Sequence, residues 1–233
     1  MTGKQEYLVI GTSHIAKSSL EEIKQEFLRF KPDTIAVELD ANRAQALMSP
    51  QQQRPSARQL IKAVGFKGFL FTVIARTVQK RLGKMVGVEP GSEMKFAMTL
   101  AKNNHLDLIL IDKSLEKTVK RLFKKLTWKE KFRFAGQIVA APFSPKKKRM
   151  KVPLTKVPPQ EMIEKLMGVL KKQFPTMHKV LVDERNHYMA RKAARYLKLN
   201  PEKKMMLIVG AGHKNEIERL IPEYQSRIEV PTK

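Results

Sequence analysis

A short apolar segment that ends in glycine and is followed by a histidine occurs twice, near the two ends of the sequence. The first copy, YLVIGTSH, covers residues 7–14, and the second, MLIVGAGH, covers residues 206–213. Four apolar residues bounded by glycine are typical of a buried strand and are too few for a helix. We therefore expect His14 and His213 just beyond the carboxyl ends of two strands, the edge at which open α/β sheets bind ligands.

Strand and helix patterns alternate between these two copies. Strands are predicted over 34–40, which carries Glu38, over 106–112, which ends at Asp112, and over 227–230. Helical periodicity follows the first strand and recurs at 160–173 and 176–197. We expect one α/β domain over 1–233, with a mixed or mostly parallel sheet of about five strands flanked by helices.

The chain is strongly basic, with 46 Lys and Arg against 22 Asp and Glu and a formal net charge of +24. Residues 50–86 and 117–160 are expected to be basic helical or loop insertions within the domain. Aromatic residues, Trp128 and Phe132 among them, are interleaved with the second basic segment. This charge favours contact with nucleic acid or an anionic lipid surface, although charge alone does not identify the partner.

The absence of cysteine leaves histidine and carboxylate as the strong metal ligands. His14, His213 and Glu38 would together supply two imidazoles and one carboxylate, a set that suits a divalent metal with a position left for water. This interpretation requires the strands to be neighbours in the sheet. Otherwise each histidine is an ordinary turn residue.

Two further acids have competing interpretations. Glu184 falls on the stripe of Met177, Leu181 and Tyr188, so its carboxylate would lie on a buried helix face and need a partner. Alternatively, Glu184 and Arg185 form a surface ion pair. Asp112 is either a site residue or the cap of the following helix.

An ordered set of motifs resembles the TraB/PrgY family over about residues 7–217. The motifs are GTSH at 11–14, VELD at 37–40 followed by Arg43, PGSEM at 90–94, ID at 111–112, ER at 184–185, YMA at 188–190 and VGAGH at 209–213. This chain has Lys113-Ser114 where the family usually has Arg-Asp, and Asn186 where it has Asp. Each departure loses an acid.

The resemblance implies an α/β domain related to the Tiki and erythromycin-esterase-like proteins. It also implies a metal-dependent hydrolase site formed by the two Gly-x-x-His motifs and the strand carboxylate. The Tiki relatives resemble metalloproteases, and other members are linked to pheromone shutdown through action on a peptide. A peptide substrate is therefore expected.

Together these observations predict a metal-dependent hydrolase of peptide or amide bonds that uses a divalent ion of the Zn, Mn or Co type. The expected metal ligands are His14, His213 and Glu38. The expected catalytic acids are Glu38, Glu93, Asp112 and Glu184. Arg43 and Arg185 are expected to bind the substrate. The competing hypothesis is a non-enzymatic adaptor that meets a membrane surface or nucleic acid through its basic middle. We expect a cytoplasmic homo-oligomer, peripheral at the membrane, since no signal peptide or membrane span is evident.

Overall fold

The computed structural model describes residues 6–12, 17–49, 56–62, 64–66, 68–69, 73, 91–130, 132–133, 136 and 160–229. The fold is α/β, as predicted. Four parallel strands form the sheet in these ranges: β1 Tyr7–Thr12, β2 Thr34–Val37, β3 Asp107–Leu110 and β4 Met205–Gly210. Their order across the sheet is β1-β4-β2-β3.

Helices cover both faces of this sheet. They are α1 Lys17–Phe30, α2 Ala41–Met48, α3 Ser92–Asn103, α4 Leu115–Lys125, α5 Gln160–Gln173, α6 Pro175–His178, α7 Glu184–Leu199 and α8 Lys214–Arg227. A π-helical turn, Lys179–Asp183, joins α6 to α7. Within the ranges given above, no helix is both long enough and apolar enough to cross a bilayer.

Strand β4 lies at the centre of the core. Its six residues are all buried, and their side chains alternate between two apolar clusters. Leu207 and Val209 pack with α7 and α8 on one face, whereas Met206 and Ile208 pack with α1 and α3 on the other. A strand that is covered on both faces has a continuous apolar sequence, which explains the motif around residue 207.

The two strands of the repeated motif are parallel neighbours, as predicted. Gly11 is paired with Val209 and Thr12 with Gly210. Strand β2 runs along the other side of β4, with Val37 opposite Ile208. The carboxyl ends of three strands therefore meet at one edge of the sheet.

The predicted strand over 227–230 is wrong for the residues that can be compared. Arg227 is the last residue of α8, and Ile228 and Glu229 have no regular structure. The helix is favoured because Ile217, Leu220 and Ile221 recur at helical spacing against the core. Strands β2 and β3 are also shorter than predicted, and much of the basic segments 50–86 and 117–160 lies outside the described residues.

A buried carboxylate fixes the entry to α6 and the π-helical turn. Glu130 Oε2 accepts hydrogen bonds from the backbone and hydroxyl of Thr127, at 3.2 and 2.9 Å, and Glu130 Oε1 accepts one from the Thr176 backbone at 2.7 Å. Burial raises the pKa of Glu130, but the hydrogen bonds from Thr176 and Thr127 outweigh burial and lower it. Glu130 therefore contributes to stability as an anion.

We predict that Glu130→Ala lowers the free energy of unfolding by about 1–3 kcal/mol at pH 7, because two backbone donors lose their acceptor. Since the folded pKa is lowered, this contribution is present above the unfolded pKa of about 4.3 and is lost as pH falls further. Urea unfolding of both proteins from pH 7 downwards measures this. Glu161→Ala, at an exposed position in the first turn of α5, is the control. A difference between Glu130→Ala and wild type that does not narrow below about pH 4 would contradict the prediction.

Candidate functional site

A partly buried arginine at the start of α7 occupies the carboxyl edge of the sheet. The Arg185 guanidinium forms an ion pair with Glu38, which follows β2. It also donates to both carboxylate oxygens of Asp112, which follows β3, at 3.0 and 2.8 Å. Its Nη1 lies 3.1 Å from Nε2 of His213, which follows β4. One side chain thus connects the ends of three strands.

The charge of Arg185 is held in place by its neighbours. Burial lowers the pKa of the guanidinium, but attraction to Glu38 and hydrogen bonds to Asp112 outweigh burial and raise the pKa above its ordinary value. The side chains of Glu38 and Asp112 are only 4% and 2% exposed. Two carboxylates at this depth require a cationic partner, and Arg185 provides it.

His213 is oriented by Asn186. Its Nδ1 lies 2.6 Å from the side-chain oxygen of Asn186, an atom that can only accept a hydrogen bond. Nδ1 therefore carries the hydrogen, and Nε2 carries the lone pair. Nε2 faces Glu38 Oε1 at 3.4 Å and the Arg185 guanidinium at 3.1 Å. This tautomer is the one a metal-ligating histidine adopts when its other nitrogen is anchored.

Glu38 is fixed by the backbone of the neighbouring strand. The Gly210 N–H donates to Glu38 Oε2 at 2.6 Å, and the Glu38 N–H donates to the Ile208 carbonyl at 3.1 Å. Its other carboxylate oxygen is the one directed at Arg185 and His213. The β2–β4 pairing therefore determines where this oxygen lies.

Arg43 and Asp40 complete the charged cluster. Asp40 caps α2 by accepting from the backbone of Asn42 and Arg43, and it also accepts from Arg43 Nε at 2.8 Å. The Arg43 guanidinium is paired with Asp112 and donates to the Glu38 carbonyl at 3.2 Å. The predicted site residues Glu38, Arg43, Asp112, Arg185 and His213 are thus brought together.

Asp40 and Asn186 contribute to this cluster although sequence analysis assigned them no role. Asp40 had a detectable signal, because an aspartate between a strand and a helix pattern is typical of an N-cap. Asp112, by contrast, does not cap the next helix. Ser114 does so by accepting from the Lys117 N–H.

Glu184, which was expected among the catalytic acids, has its ion-pair partners outside this cluster. Its carboxylate forms ion pairs with Arg121 and Lys125 of α4. Burial raises the pKa of Glu184, but hydrogen bonds from these two cations outweigh burial and lower it. Glu184 therefore has the partners that a buried position requires.

A π-helical turn precedes α7. The Glu184 N–H donates to the Lys179 carbonyl five residues earlier, so this turn contains one residue more than an α-helical turn. Glu184 still lies on the stripe predicted for it, because Met177 and Leu181 pack with Leu122 of α4 and Glu184 is paired with cations of the same helix. Arg185, the next residue, reaches the cluster and donates to the Leu181 carbonyl at 3.1 Å.

Glu93 and His14 are the remaining predicted site residues. Glu93 is buried in the first turn of α3, the helix that packs under the other apolar cluster, and its catalytic role stays a prediction. His14 lies outside the described residues. Among those that are described, no group of three or more His, Asp and Glu is arranged to hold a metal ion. Glu38 and His213 supply two potential donors.

Comparison with known proteins gives one consistent result. The model of the TraB/PrgY/gumN family matches residues 2–227. The Methanocaldococcus jannaschii protein named Uncharacterized protein MJ1365 is 32% identical over an alignment of 222 positions, which covers 94% of this chain and 54% of that protein. The human and mouse TraB domain-containing proteins are 27% and 26% identical over an alignment of 236 positions, which covers 91% of this chain and 61% of each relative.

The chain thus spans between about half and three fifths of the length of these relatives. The family model covers nearly all of it, including the residues after β2, β3 and β4 and those of α7 that form the charged cluster. The protein belongs to the TraB/PrgY/gumN family.

Proposed function

We propose that this protein is a metal-dependent hydrolase that acts on a peptide or amide bond. The observation that carries the proposal is the approach of Glu38 Oε1 to within 3.4 Å of His213 Nε2 at the carboxyl edge of the sheet. The two residues are 175 positions apart, and each is held there by its own anchor. A carboxylate and an imidazole with a free lone pair are suited to a shared divalent cation.

His14 is proposed as the third ligand, because it follows β1, the neighbour of β4. A divalent ion of the Zn, Mn or Co type would, when bound, lower the pKa of a coordinated water and polarise a carbonyl. The protein's own contribution is to position the donors. Asn186 sets the tautomer of His213, and Gly210 fixes the free oxygen of Glu38.

Arg185 limits how this site can be used. Its guanidinium contacts both Glu38 Oε1 and His213 Nε2, so a metal ion on these two atoms requires Arg185 to give up those contacts. Asp112 can keep it nearby, because it accepts two further hydrogen bonds from the same side chain. We propose that Asp112 positions Arg185.

Arg43 and Arg185 remain the proposed contacts for a substrate carboxylate, although both already have carboxylate partners in this structure. Arg43 is paired with Asp40 and Asp112, and Arg185 with Glu38 and Asp112. A substrate carboxylate would have to exchange with one of these acids. Arg43 is the more accessible of the two, with 31% of its side chain exposed against 16% for Arg185.

A second function is favoured by a separate observation, two exposed aromatic rings in the basic segment. Trp128 and Phe132 are 70% and 72% exposed, and their ring centres lie 6.1 Å apart. Lys124, Lys125 and Lys129 are close in sequence. Aromatic residues beside basic ones are typical of surfaces that insert into the headgroup region of anionic membranes. We propose that the protein is cytoplasmic and binds such a membrane peripherally, and homo-oligomer formation stays a prediction.

We predict that protein purified without chelator or histidine tag holds about one divalent ion per chain, and that His14→Ala, His213→Ala and Glu38→Gln lose it while remaining folded. Elemental analysis and circular dichroism measure the two properties. His187→Ala removes a histidine that lies 2.8 Å from the Tyr224 hydroxyl and outside the cluster, and it should keep the ion. The proposal fails if wild type holds no metal, or if His213→Ala retains a full complement.

We predict that Asn186→Ala weakens metal affinity about 10–100-fold, because the imidazole of His213 loses the acceptor that fixes its tautomer. Asn186→Asp, which restores the acid that the family usually has here, should bind at least as tightly as wild type. Competition against a chromogenic chelator gives both affinities. Equal affinity in wild type and Asn186→Ala would show that His213 does not act through Nε2.

We predict that the protein binds vesicles containing phosphatidylserine and does not bind those of phosphatidylcholine alone. Binding releases counterions from the charged surface, and this release is less favourable when more salt is present. Affinity for the vesicles should therefore fall steeply between about 50 and 200 mM salt. Trp128→Ala with Phe132→Ala should weaken it further. Leu199→Ala, at an exposed apolar position on α7, is the control. Vesicle co-sedimentation that is insensitive to salt or to the aromatic pair, or a stronger affinity for duplex nucleic acid, would contradict the membrane proposal.

A further inference from the structure

A cationic cavity lies beside the charged cluster. Its volume is about 490 Å³, and it is lined by Lys113, Ser114, Lys117, Thr118, Arg121, Val180, Glu184 and Tyr188. This volume lies within the range of pockets that bind small molecules. Lys113 directly follows Asp112, and Glu184 directly precedes Arg185. At these two places a residue that lines the cavity is the chain neighbour of a residue of the cluster.

The cations in and beside this cavity are regularly spaced. Lys113, Lys117, Arg121 and Lys125 follow one another at intervals of four, and the last three lie on one side of α4. Like charges at this spacing repel each other and destabilise a helix. An uncompensated stripe of this kind is therefore unfavourable unless an anion occupies the space in front of it.

One carboxylate serves most of these cations. Arg121, Lys125 and Lys113 are paired with Glu184, the last at 3.9 Å. Lys117 forms no ion pair with any residue in the described ranges. Lys125 does not line the cavity, so the lining has three cations and one acid and an excess of two positive charges. Burial lowers the pKa of Lys113, and repulsion from Arg121 and Arg191 adds to this effect while Glu184 opposes it.

Ser114 and Thr118 also line the cavity, beside these cations.

From this geometry we infer that the cavity binds a phosphate-bearing small molecule, with its phosphate group held by Lys113, Lys117 and Arg121. A phosphate carries up to two negative charges and several acceptor oxygens, so it suits an excess of two positive charges better than a single carboxylate does. The cavity is larger than a phosphate group alone requires. The remaining space, bordered by Val180 and the ring of Tyr188, is suited to the organic part of the ligand.

This binding does not depend on the proposed hydrolysis, because no proposed metal ligand lines the cavity. It is tested by calorimetric titration at constant ionic strength with inorganic phosphate, phenyl phosphate and acetate. We expect 1:1 binding of phenyl phosphate to wild type, weaker binding of inorganic phosphate, and the weakest binding of acetate. Lys117→Ala should reduce the affinity for phenyl phosphate about tenfold.

Lys124→Ala is the matched control, because it removes the same charge from an exposed position on the same helix without lining the cavity. Its affinity should stay within about twofold of wild type. Equal losses in Lys117→Ala and Lys124→Ala would overturn the inference, since they would indicate attraction by net charge alone. Acetate that binds as tightly as phenyl phosphate would overturn the phosphate assignment. Metal content has its own measurement above, so failure of either proposal can be recognised separately.

Discussion

The site depends on one cation, the partly buried guanidinium of Arg185. Arg185 connects the ends of β2, β3 and β4 by contacting Glu38, Asp112 and His213, the first of which is 147 positions away in sequence. Glu38 and Asp112 could not be buried so completely at the same edge of the sheet without it. Asn186 contacts His213, and Arg43 contacts Asp112. The whole cluster is therefore organised around the Arg185 guanidinium, which cannot give up its charge.

This arrangement places the proposed metal and Arg185 in competition for the same donors. Glu38 Oε1 and His213 Nε2 each contact the guanidinium, and both are proposed to hold the ion. Both carboxylate oxygens of Asp112 accept hydrogen bonds from Arg185, so Asp112 can retain the guanidinium when Glu38 no longer contacts it. Under this hypothesis the guanidinium remains beside the reaction centre, where a positive charge can act on a substrate carboxylate or on a developing oxyanion.

The sequence predicted the topology better than it predicted the contacts. Apolar runs bounded by glycine located β1 and β4, and burial on both faces of β4 is why that signal was strong. Glu184 was expected among the catalytic acids, but its cationic partners come from α4, which no local pattern reveals. The strand expected at 227–230 failed because short apolar segments do not distinguish a strand from the end of an amphipathic helix. The partners of Asp112 come from α2 and α7, and only the fold reveals them.

The central position of β4 has a consequence for how the chain is made. Strand β4 lies between β1 and β2 although it is the last of the four to leave the ribosome. Its neighbours, separated from it by about 170 to 200 residues, cannot pair with it until the segment after residue 200 has been synthesised. Contacts of such long range form slowly and late. The nascent chain would therefore display two unpaired strand edges for most of its synthesis, which makes β1 and β2 the segments most in need of a chaperone.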